Sequence, residues 1–220
     1  ESCALDNVGA KFVREVNPGE AIMFDSSGFK SIYQKDMGKC SFCVFEHIYF
    51  ARPDSEIDGK LVYKSRLLMG KELAREHPVE ADMVIGVPDS ATASAVGYSE
   101  ESGIPFGEGL VKNRYVGRTF INPDQRMREV GVKVKLNPLK ELIKGKKLVV
   151  VDDSIVRGTT SRPVVSLLRN AGAREIHLRI CAPPIQFPCH FGVDFPTRKE
   201  LIAADKTVDE IKDSIGADSL

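Results

Sequence analysis

Short continuous apolar runs alternate with stretches of helical spacing through most of this chain. Met83–Val87 and Lys147–Val151 are runs of the kind expected of strands that are covered on both faces. Leu61–Glu76 places its apolar residues on one side of a helix and ends before Pro78. The same criteria predict two more helices and two more strands, at Ala91–Glu101, Pro163–Asn170, Phe106–Val111 and Glu175–Cys181. Strands that alternate with helices predict an α/β fold, with a parallel sheet and helices on both of its faces.

The first 36 residues have a different pattern. Ala10–Val16, Ala21–Phe24 and Phe29–Tyr33 are strand-like, and turns rich in Pro, Gly, Asn and Asp separate them. This pattern predicts a short β-meander. Because three short strands cannot bury a face unaided, we expect the segment to pack on something else or to be the end of another domain.

Two Thr-x-x-Glu patterns stand near the end of the chain, at Thr197 with Glu200 and at Thr207 with Glu210. In a capping box the threonine hydroxyl accepts from the backbone of the glutamate, and the glutamate side chain accepts from the backbone of the threonine. The two patterns therefore predict the starts of two short helices.

Composition narrows the classes of function without choosing one. The 220 residues suit one full domain with room for part of a second, and 42% hydrophobic residues are enough for a buried core. The 31 basic and 31 acidic side chains balance, so no overall basic field favours nucleic acid or an anionic membrane. No apolar stretch approaches the roughly 18 residues that span a bilayer, and no secretory signal is visible. We therefore expect neither nucleic acid nor a membrane as a partner.

The five cysteines stand at positions 3, 40, 43, 181 and 189. Their odd number and irregular spacing do not fit a disulfide framework, which favours a reducing, cytoplasmic location. Cys40 and Cys43 form one C-x-x-C pair, but no second pair follows at the spacing of a zinc site. Spacing alone therefore favours ordinary thiols.

The clearest functional pattern follows the strand Lys147–Val151. Asp152 and Asp153 end this strand, and a segment rich in Ser, Thr and Gly leads from them into the next helix. Paired carboxylates at the end of a buried strand are costly unless they bind something. Backbone N–H groups at the start of a helix bind phosphate. Carboxylates for sugar hydroxyls or a metal, beside amides for a phosphate, together suit a phosphorylated ribose.

Val149–Thr160 resembles the phosphoribosyl pyrophosphate (PRPP) motif of the type I phosphoribosyltransferases. Its longer form, which runs from Val151 to Ser161, is similar to that of the glutamine PRPP amidotransferase family. Four other segments resemble the same family in the family's order, namely Tyr49–Ser55, Gly86–Ser90, Lys112–Phe120 and Gly216–Leu220. The resemblance therefore covers essentially the whole chain.

This family joins an N-terminal glutaminase domain to a C-terminal phosphoribosyltransferase domain. The resemblance implies that residues 1–36 are the end of the glutaminase domain and that residues 37–220 are a phosphoribosyltransferase domain, incomplete at its C-terminus. Residue 1 is Glu, where the mature family members begin with the catalytic Cys, and Cys3 is not expected to be that nucleophile. We therefore expect most of the glutaminase half to lie outside this chain, which has no initiator Met.

The resemblance also implies a reaction. Ammonia, which glutamine supplies in the full-length enzyme, attacks C1 of PRPP, pyrophosphate leaves, and 5-phosphoribosylamine forms, as the first committed step of purine synthesis. Asp152 and Asp153 would hold the ribose hydroxyls and, with Ser90 nearby, Mg²⁺, which prefers oxygen ligands. The expected PRPP-binding residues are Pro88, Asp89, Ser90, Lys112, Asp152, Asp153, Ser154, Ile155, Val156, Arg157, Gly158, Thr159 and Thr160.

Asn113–Pro138 is long, polar and basic. A segment of this length without regular structure in a compact domain is usually functional or disordered. The resemblance implies a lid that closes over PRPP and excludes water from the reactive ribosyl centre. Tyr115 and Arg118 are the catalytic residues expected in this lid.

Some members of the family carry a [4Fe–4S] cluster that four cysteines hold. The resemblance places the first ligand at Cys43, not Cys40, and the second at Cys189, and thiolates are the ligands that such clusters need. The other two ligands lie further toward the C-terminus in the family, beyond Leu220. We therefore expect a cluster in the full-length protein, with two of its four ligands in this chain, and ordinary thiols at Cys40 and Cys181.

Three other interpretations stay open. A phosphoribosyltransferase that uses a nucleobase would share Asp152–Thr160 but should lack the Lys112–Phe120 segment. A regulator that senses PRPP would need an added DNA-binding module and a basic face. In the third interpretation, the chain is an inactive fragment of an amidotransferase.

The family is usually tetrameric, so a homotetramer is expected of the full-length protein.

Overall fold

The computed structural model describes residues 1–35, 41–113, 115, 135–193, 195 and 197–220. The chain divides into two compact units, Glu1–Val62 and Tyr63–Leu220. The predicted domain boundary between residues 36 and 37 lies outside the described part of the chain, and it stays a prediction.

The first unit contains short elements only. In chain order they are α1 (Ser2–Asn7), β1 (Glu20–Asp25), β2 (Gly28–Gln34), a π-helical turn (Glu46–Phe50), β3 (Glu56–Ile57) and β4 (Lys60–Leu61). β1 and β2 form an antiparallel hairpin, as do β3 and β4. The predicted strands Ala21–Phe24 and Phe29–Tyr33 are thus confirmed as β1 and β2.

The predicted strand over Ala10–Val16 is wrong. These residues are exposed and form no regular structure, and no strand of the described residues pairs with them. Alternating side chains fit a pleated surface, but a strand also needs a partner for its backbone N–H and C=O groups, and local sequence does not specify one. The predicted meander is therefore a two-stranded hairpin, preceded by the short helix α1.

The second unit has a parallel sheet at its centre. From Val62 onward the elements are α2 (Val62–Glu76), β5 (Met83–Gly86), α3 (Thr92–Ser102), β6 (Leu110–Lys112), β7 (Leu136–Pro138), α4 (Lys140–Ile143), β8 (Lys147–Asp152), α5 (Ser161–Asn170), β9 (Glu175–Ile180) and α6 (Val208–Ile215), with 3₁₀ turns at Arg198–Glu200 and Ile202–Ala204. The sheet order is β5–β8–β9, and both pairs are parallel. This arrangement confirms the predicted α/β fold.

Helices cover both faces of this sheet. One face contributes alternate strand residues such as Ile85 and Val150 to a core that α5 and α6 complete, with Leu168 and Ile211 among the buried side chains. The opposite face contributes Val84, Val149 and Val151 to a second core with residues from α2 and α3, including Leu73, Ala95 and Tyr98. Because side chains alternate across a strand, the continuous apolar run of β8 supplies both cores.

Two glycines allow α2 and α3 to cross closely. A Cβ atom on Gly70 would lie 1.8 Å from the carbonyl oxygen of Ser94, and one on Gly97 would lie 1.9 Å from the carbonyl oxygen of Leu67. No larger residue fits either position without moving a backbone. The glycines therefore set how closely α2 and α3 approach each other.

Three predictions about local elements have different outcomes. At α6 the capping box is confirmed: the Glu210 N–H donates to Thr207 Oγ1 over 3.3 Å, and the Thr207 N–H donates to Glu210 Oε2 over 2.8 Å. The capping box at Thr197 is wrong, because only a 3₁₀ turn follows and the Glu200 carboxylate bonds Arg157 instead. The predicted strand Phe106–Val111 is displaced to β6, and Phe106 makes a single parallel bridge with Val84.

Within the described residues, none of the helices has the length and apolar character needed to cross a membrane.

Candidate functional site

The carboxyl ends of β5 and β8 lie side by side. In the parallel register Gly86 is opposite Val151, and the Val87 N–H donates to the Val151 carbonyl oxygen over 2.9 Å. The turn that follows β5 therefore faces the turn that follows β8. Open parallel sheets bind their ligands at the carboxyl ends of their strands. The two segments that we identified in the sequence therefore lie together at the expected position of a ligand.

Asp152 and Asp153 are both buried, with 6% and 9% of their surface exposed. The Asp153 N–H donates to Asp152 Oδ1 over 2.9 Å. Burial raises the pKa of Asp152 well above its usual value, and the neighbouring charge of Asp153 raises it further. Burial also raises the pKa of Asp153. The structure thus holds two carboxyl groups where a charge is unfavourable until a cation or a hydroxyl donor arrives.

Ser90 joins the two turns. Its hydroxyl donates to Asp153 Oδ2 over 2.5 Å, and the Ser154 hydroxyl donates to Asp153 Oδ1 over 2.6 Å. Both bonds lower the pKa of Asp153 and partly offset the effect of burial. Ser90, Asp152 and Asp153 therefore all place side-chain oxygens at this end of the sheet. Oxygen is the ligand type that Mg²⁺ prefers.

The Ser154–Thr160 loop links β8 to α5. All seven of its residues are half-buried, and Gly158 has a φ of 73°, a backbone conformation that favours glycine. The loop ends where the ten-residue helix α5 begins, so it lies at the positive end of a helix dipole. Backbone N–H groups and three hydroxyls are available there for an anion such as phosphate.

Sequence reasoning missed Arg66. This α2 residue is 3% exposed, and its positive charge is near enough to lower the pKa of Asp153 and the pKa of the Cys181 thiol. Arg66 follows Val62 by four residues on the buried side of α2, so a charged residue inside an apolar stripe was the available signal. The same region holds Cys181, whose pKa burial raises to about 11, so this thiol stays protonated.

The other predicted residues lie around this edge or outside the described part of the chain. Lys112, at the end of β6, forms an ion pair with Asp89, which follows a cis Pro88–Asp89 peptide bond. Tyr115 is fully exposed, and its N–H donates to Asn113 Oδ1 over 3.0 Å. Arg118 lies outside the described residues.

The two predicted cluster ligands lie in different units. Cys43 is exposed in the first unit. Cys189, in the second unit, accepts a hydrogen bond from the Phe191 N–H over 3.3 Å, and this contact with others from the following backbone lowers the pKa of its thiol. A lowered pKa favours the thiolate that binds metal. Among the described residues, no group of three or more His, Cys, Asp or Glu side chains could hold a metal ion.

A comparison with protein families matches residues 68–214 to the phosphoribosyl transferase domain. The matched range includes β5, β8 and the Ser154–Thr160 loop, and it covers well over half of the chain.

Curated relatives match along the full chain. An amidophosphoribosyltransferase from Mycobacterium tuberculosis H37Rv is 54% identical over 225 residues, which are 100% of this chain and 42% of that protein. One from Archaeoglobus fulgidus is 54% identical over 220 residues, 100% of this chain and 48% of that protein. The chain therefore spans less than half the length of these relatives.

Solved structures give the same result. A structure described as the allosteric regulatory enzyme of purine biosynthesis aligns with a TM-score of 0.90 at 53% identity, covering 100% of this chain and 47% of the other. The glutamine PRPP amidotransferase from B. subtilis, complexed with ADP and GMP, also aligns with a TM-score of 0.90 at 53% identity and covers 100% and 48%. The backbone of this chain is thus closely similar to about half of those proteins.

Proposed function

Because the chain belongs to the phosphoribosyltransferase domain family, we propose that it is the phosphoribosyl-transferring part of an amidophosphoribosyltransferase. The reaction converts PRPP and ammonia into 5-phosphoribosylamine and pyrophosphate. In the full-length protein the ammonia would come from glutamine, and the product would enter purine synthesis. The relatives that match across the whole chain carry this name.

One observation carries the proposal. The buried carboxyl groups of Asp152 and Asp153 end the central strand β8, and Ser90 from the neighbouring turn bonds Asp153 over 2.5 Å. Such a pair is unfavourable in the empty protein and becomes favourable with a ligand that supplies donors or positive charge. The ribose hydroxyls of PRPP and the Mg²⁺ that accompanies it supply both.

Different residues bind different parts of PRPP in this proposal. Asp152 and Asp153 accept hydrogen bonds from the two ribose hydroxyls and hold the ring still. The Ser154–Thr160 loop binds the 5-phosphate through backbone N–H groups and the hydroxyls of Ser154, Thr159 and Thr160. On the other strand end, Pro88–Ser90 and Lys112 bind the pyrophosphate. C1 of the ribose then lies between the two turns, open to a nucleophile.

The transfer needs no covalent enzyme intermediate. The nitrogen lone pair of ammonia forms the new bond to C1, the bond from C1 to the pyrophosphate oxygen breaks, and pyrophosphate leaves with the electron pair. The attacking nitrogen then releases one proton to solvent. Tyr115 and Arg118 would act from the lid, where they exclude water that competes with ammonia.

The residues present fit Mg²⁺. Its oxygen donors would be Ser90, Asp152 and Asp153, and Mg²⁺ typically binds through one or two carboxylates together with substrate phosphates, in contrast to an all-protein cage. When bound, Mg²⁺ supplies positive charge that stabilises the leaving pyrophosphate.

The choice of nucleophile tests the proposal. The purified chain, with PRPP and Mg²⁺, is offered ammonium at pH 8 or one of a panel of purine and pyrimidine bases, and the products are separated. We expect PRPP consumption with ammonia only. Consumption with a nucleobase would instead assign the chain to the base-using phosphoribosyltransferases, and tight PRPP binding without turnover would favour a sensor or an inactive fragment.

Four further proposals concern the full-length protein. It would use glutamine through a glutaminase domain, would assemble as a homotetramer, and would work in the cytoplasm, where the described cysteines, which form no disulfide, stay reduced. It would also hold a [4Fe–4S] cluster with Cys43 and Cys189 as two of four thiolate ligands. The lowered pKa of Cys189 supports its part in that set.

A further inference from the structure

The Thr197-x-x-Glu200 motif does not cap a helix, and its glutamate contacts the Ser154–Thr160 loop instead. Arg157 Nε donates to Glu200 Oε2 over 3.0 Å, and a second guanidinium nitrogen bonds the same oxygen. On the other side of the carboxylate, the Thr197 hydroxyl donates to Glu200 Oε1 over 2.9 Å. Both carboxylate oxygens are therefore fixed, one by the loop and one by its own 3₁₀ turn.

Two more contacts join the same segments. The Ile202 N–H donates to the Val156 carbonyl oxygen over 2.9 Å. Ile202 also packs on Gly158: a Cβ atom added to this glycine would lie only 2.9 Å from Ile202 Cδ1. Three successive loop residues are thus held by a backbone bond, an ion pair and an apolar contact.

We propose that Glu200 is a positioning residue, which holds the Ser154–Thr160 loop in its phosphate-binding shape through Arg157. The inference rests on the proposed function, in which this loop binds the 5-phosphate of PRPP. The side chains of Arg157 and Glu200 are 19% and 34% exposed, so the pair is partly shielded from water. Water therefore competes less for its hydrogen bonds than it does for those of a fully exposed ion pair.

The pairing also assigns a role to Arg157. The carboxylate bonds two of its guanidinium nitrogens and cancels its charge. The affinity of the loop for phosphate then comes chiefly from its backbone N–H groups and hydroxyls. Arg157 fixes where those groups point.

The sign of one substitution separates this role from direct phosphate binding. If Arg157 were chiefly a phosphate ligand, Glu200→Gln would remove a competing anion and binding would strengthen or stay unchanged. If Glu200 positions the loop, the same change loosens the loop and weakens binding. Glutamine keeps the shape of the side chain, so the variant retains the packing.

The experiment uses Glu200→Gln, Arg157→Met, the double variant, and Asp205→Asn, which removes an exposed carboxylate from the segment that follows Glu200. Hydrogen exchange of residues 154–160 is measured without ligand, and calorimetry gives the affinity for ribose 5-phosphate. We expect faster loop exchange and about tenfold weaker binding in each single variant, as for loss of a charged hydrogen bond. The double variant should be no weaker than either single variant, because the two residues act as one unit.

Kinetics with PRPP and ammonia add a second readout. The KM for PRPP should rise in Glu200→Gln far more than kcat falls, and Asp205→Asn should match the wild type. Loop exchange and affinity unchanged in Glu200→Gln, or tighter binding in that variant, would overturn the positioning role. Ribose 5-phosphate binding without turnover would contradict the proposed reaction alone, and the exchange and affinity data would still decide the role of Glu200.

Discussion

At the scale of single residues, Asp152 lies in surroundings that disfavour a negative charge. It is buried and Asp153 stands beside it, and the backbone N–H that donates to its Oδ1 offsets these two effects only in part. These surroundings favour the protonated form of an aspartate. The carboxyl group is therefore kept for the ligand at the expense of the stability of the empty protein.

Replacing Asp152 with Asn should stabilise the protein while removing its activity. Asparagine keeps an Oδ1 acceptor for the Asp153 N–H and carries no charge. Because burial and the neighbouring Asp153 raise the pKa of Asp152 well above its usual value, we expect the free energy of unfolding at pH 8 to rise in the variant. Urea denaturation measures it, with Asp205→Asn as the control for removal of an exposed carboxylate. A loss of stability in Asp152→Asn would contradict this account of the site.

The same gain should depend on pH. The folded protein keeps a proton on Asp152 over a pH range in which the unfolded chain has lost it, so wild-type stability falls as pH rises through that range. The stability difference between Asp152→Asn and the wild type should therefore be small near pH 4, the usual pKa of an aspartate, and grow above it. Denaturation at several pH values tests this, and a difference that does not change with pH would show that charge is not its cause.

At the scale of elements, Gly70 and Gly97 allow the close crossing of α2 and α3. Gly70→Ala should push the helices apart, since its Cβ atom would lie 1.8 Å from the Ser94 carbonyl oxygen. Overpacking of this kind costs about 1–3 kcal/mol, which exceeds the roughly 1 kcal/mol that alanine gains in helix propensity.

Thermal and urea denaturation of Gly70→Ala measure this cost. Lys64→Ala, at an exposed position of α2, is the matched control and should change stability little. If Gly70→Ala were as stable as Lys64→Ala, the close crossing would not be required.

The local sequence pattern predicted the elements that have apolar surroundings on both faces. The continuous apolar run of β8 implied a strand covered on both faces, and the two acids after it implied a ligand site, because both signals lie within neighbouring residues. The structure places Ser90 beside Asp153, a position that the family resemblance implied and that strand pattern alone did not give.

Contacts between distant residues left no such pattern. The pairing of Arg157 with Glu200 spans 43 positions, and a capping motif at Thr197 concealed it. Arg66 lies in the apolar stripe of α2, and the sequence of α2 does not show that its charge acts on Asp153. The irregular course of Ala10–Val16 likewise depends on the lack of a partner strand in the described residues.

At the scale of the whole molecule, every PRPP-binding residue that the sequence predicted lies in the second unit, Tyr63–Leu220. The chain spans less than half the length of the relatives that match it. We therefore predict that transfer to ammonia needs only the groups of this unit, whereas use of glutamine needs the remainder of the full-length protein.

The most direct measurement is pyrophosphate release from PRPP and Mg²⁺ with ammonia as the nucleophile, in the wild-type chain and in the double variant Asp152→Asn/Asp153→Asn. We predict release that depends on ammonia and that falls by about 10²-fold or more in the variant, since the ribose is then no longer held for attack. Equal release by the two proteins would show that the aspartate pair is not the site. A wild-type chain that neither binds PRPP nor releases pyrophosphate would contradict the proposed activity of this chain.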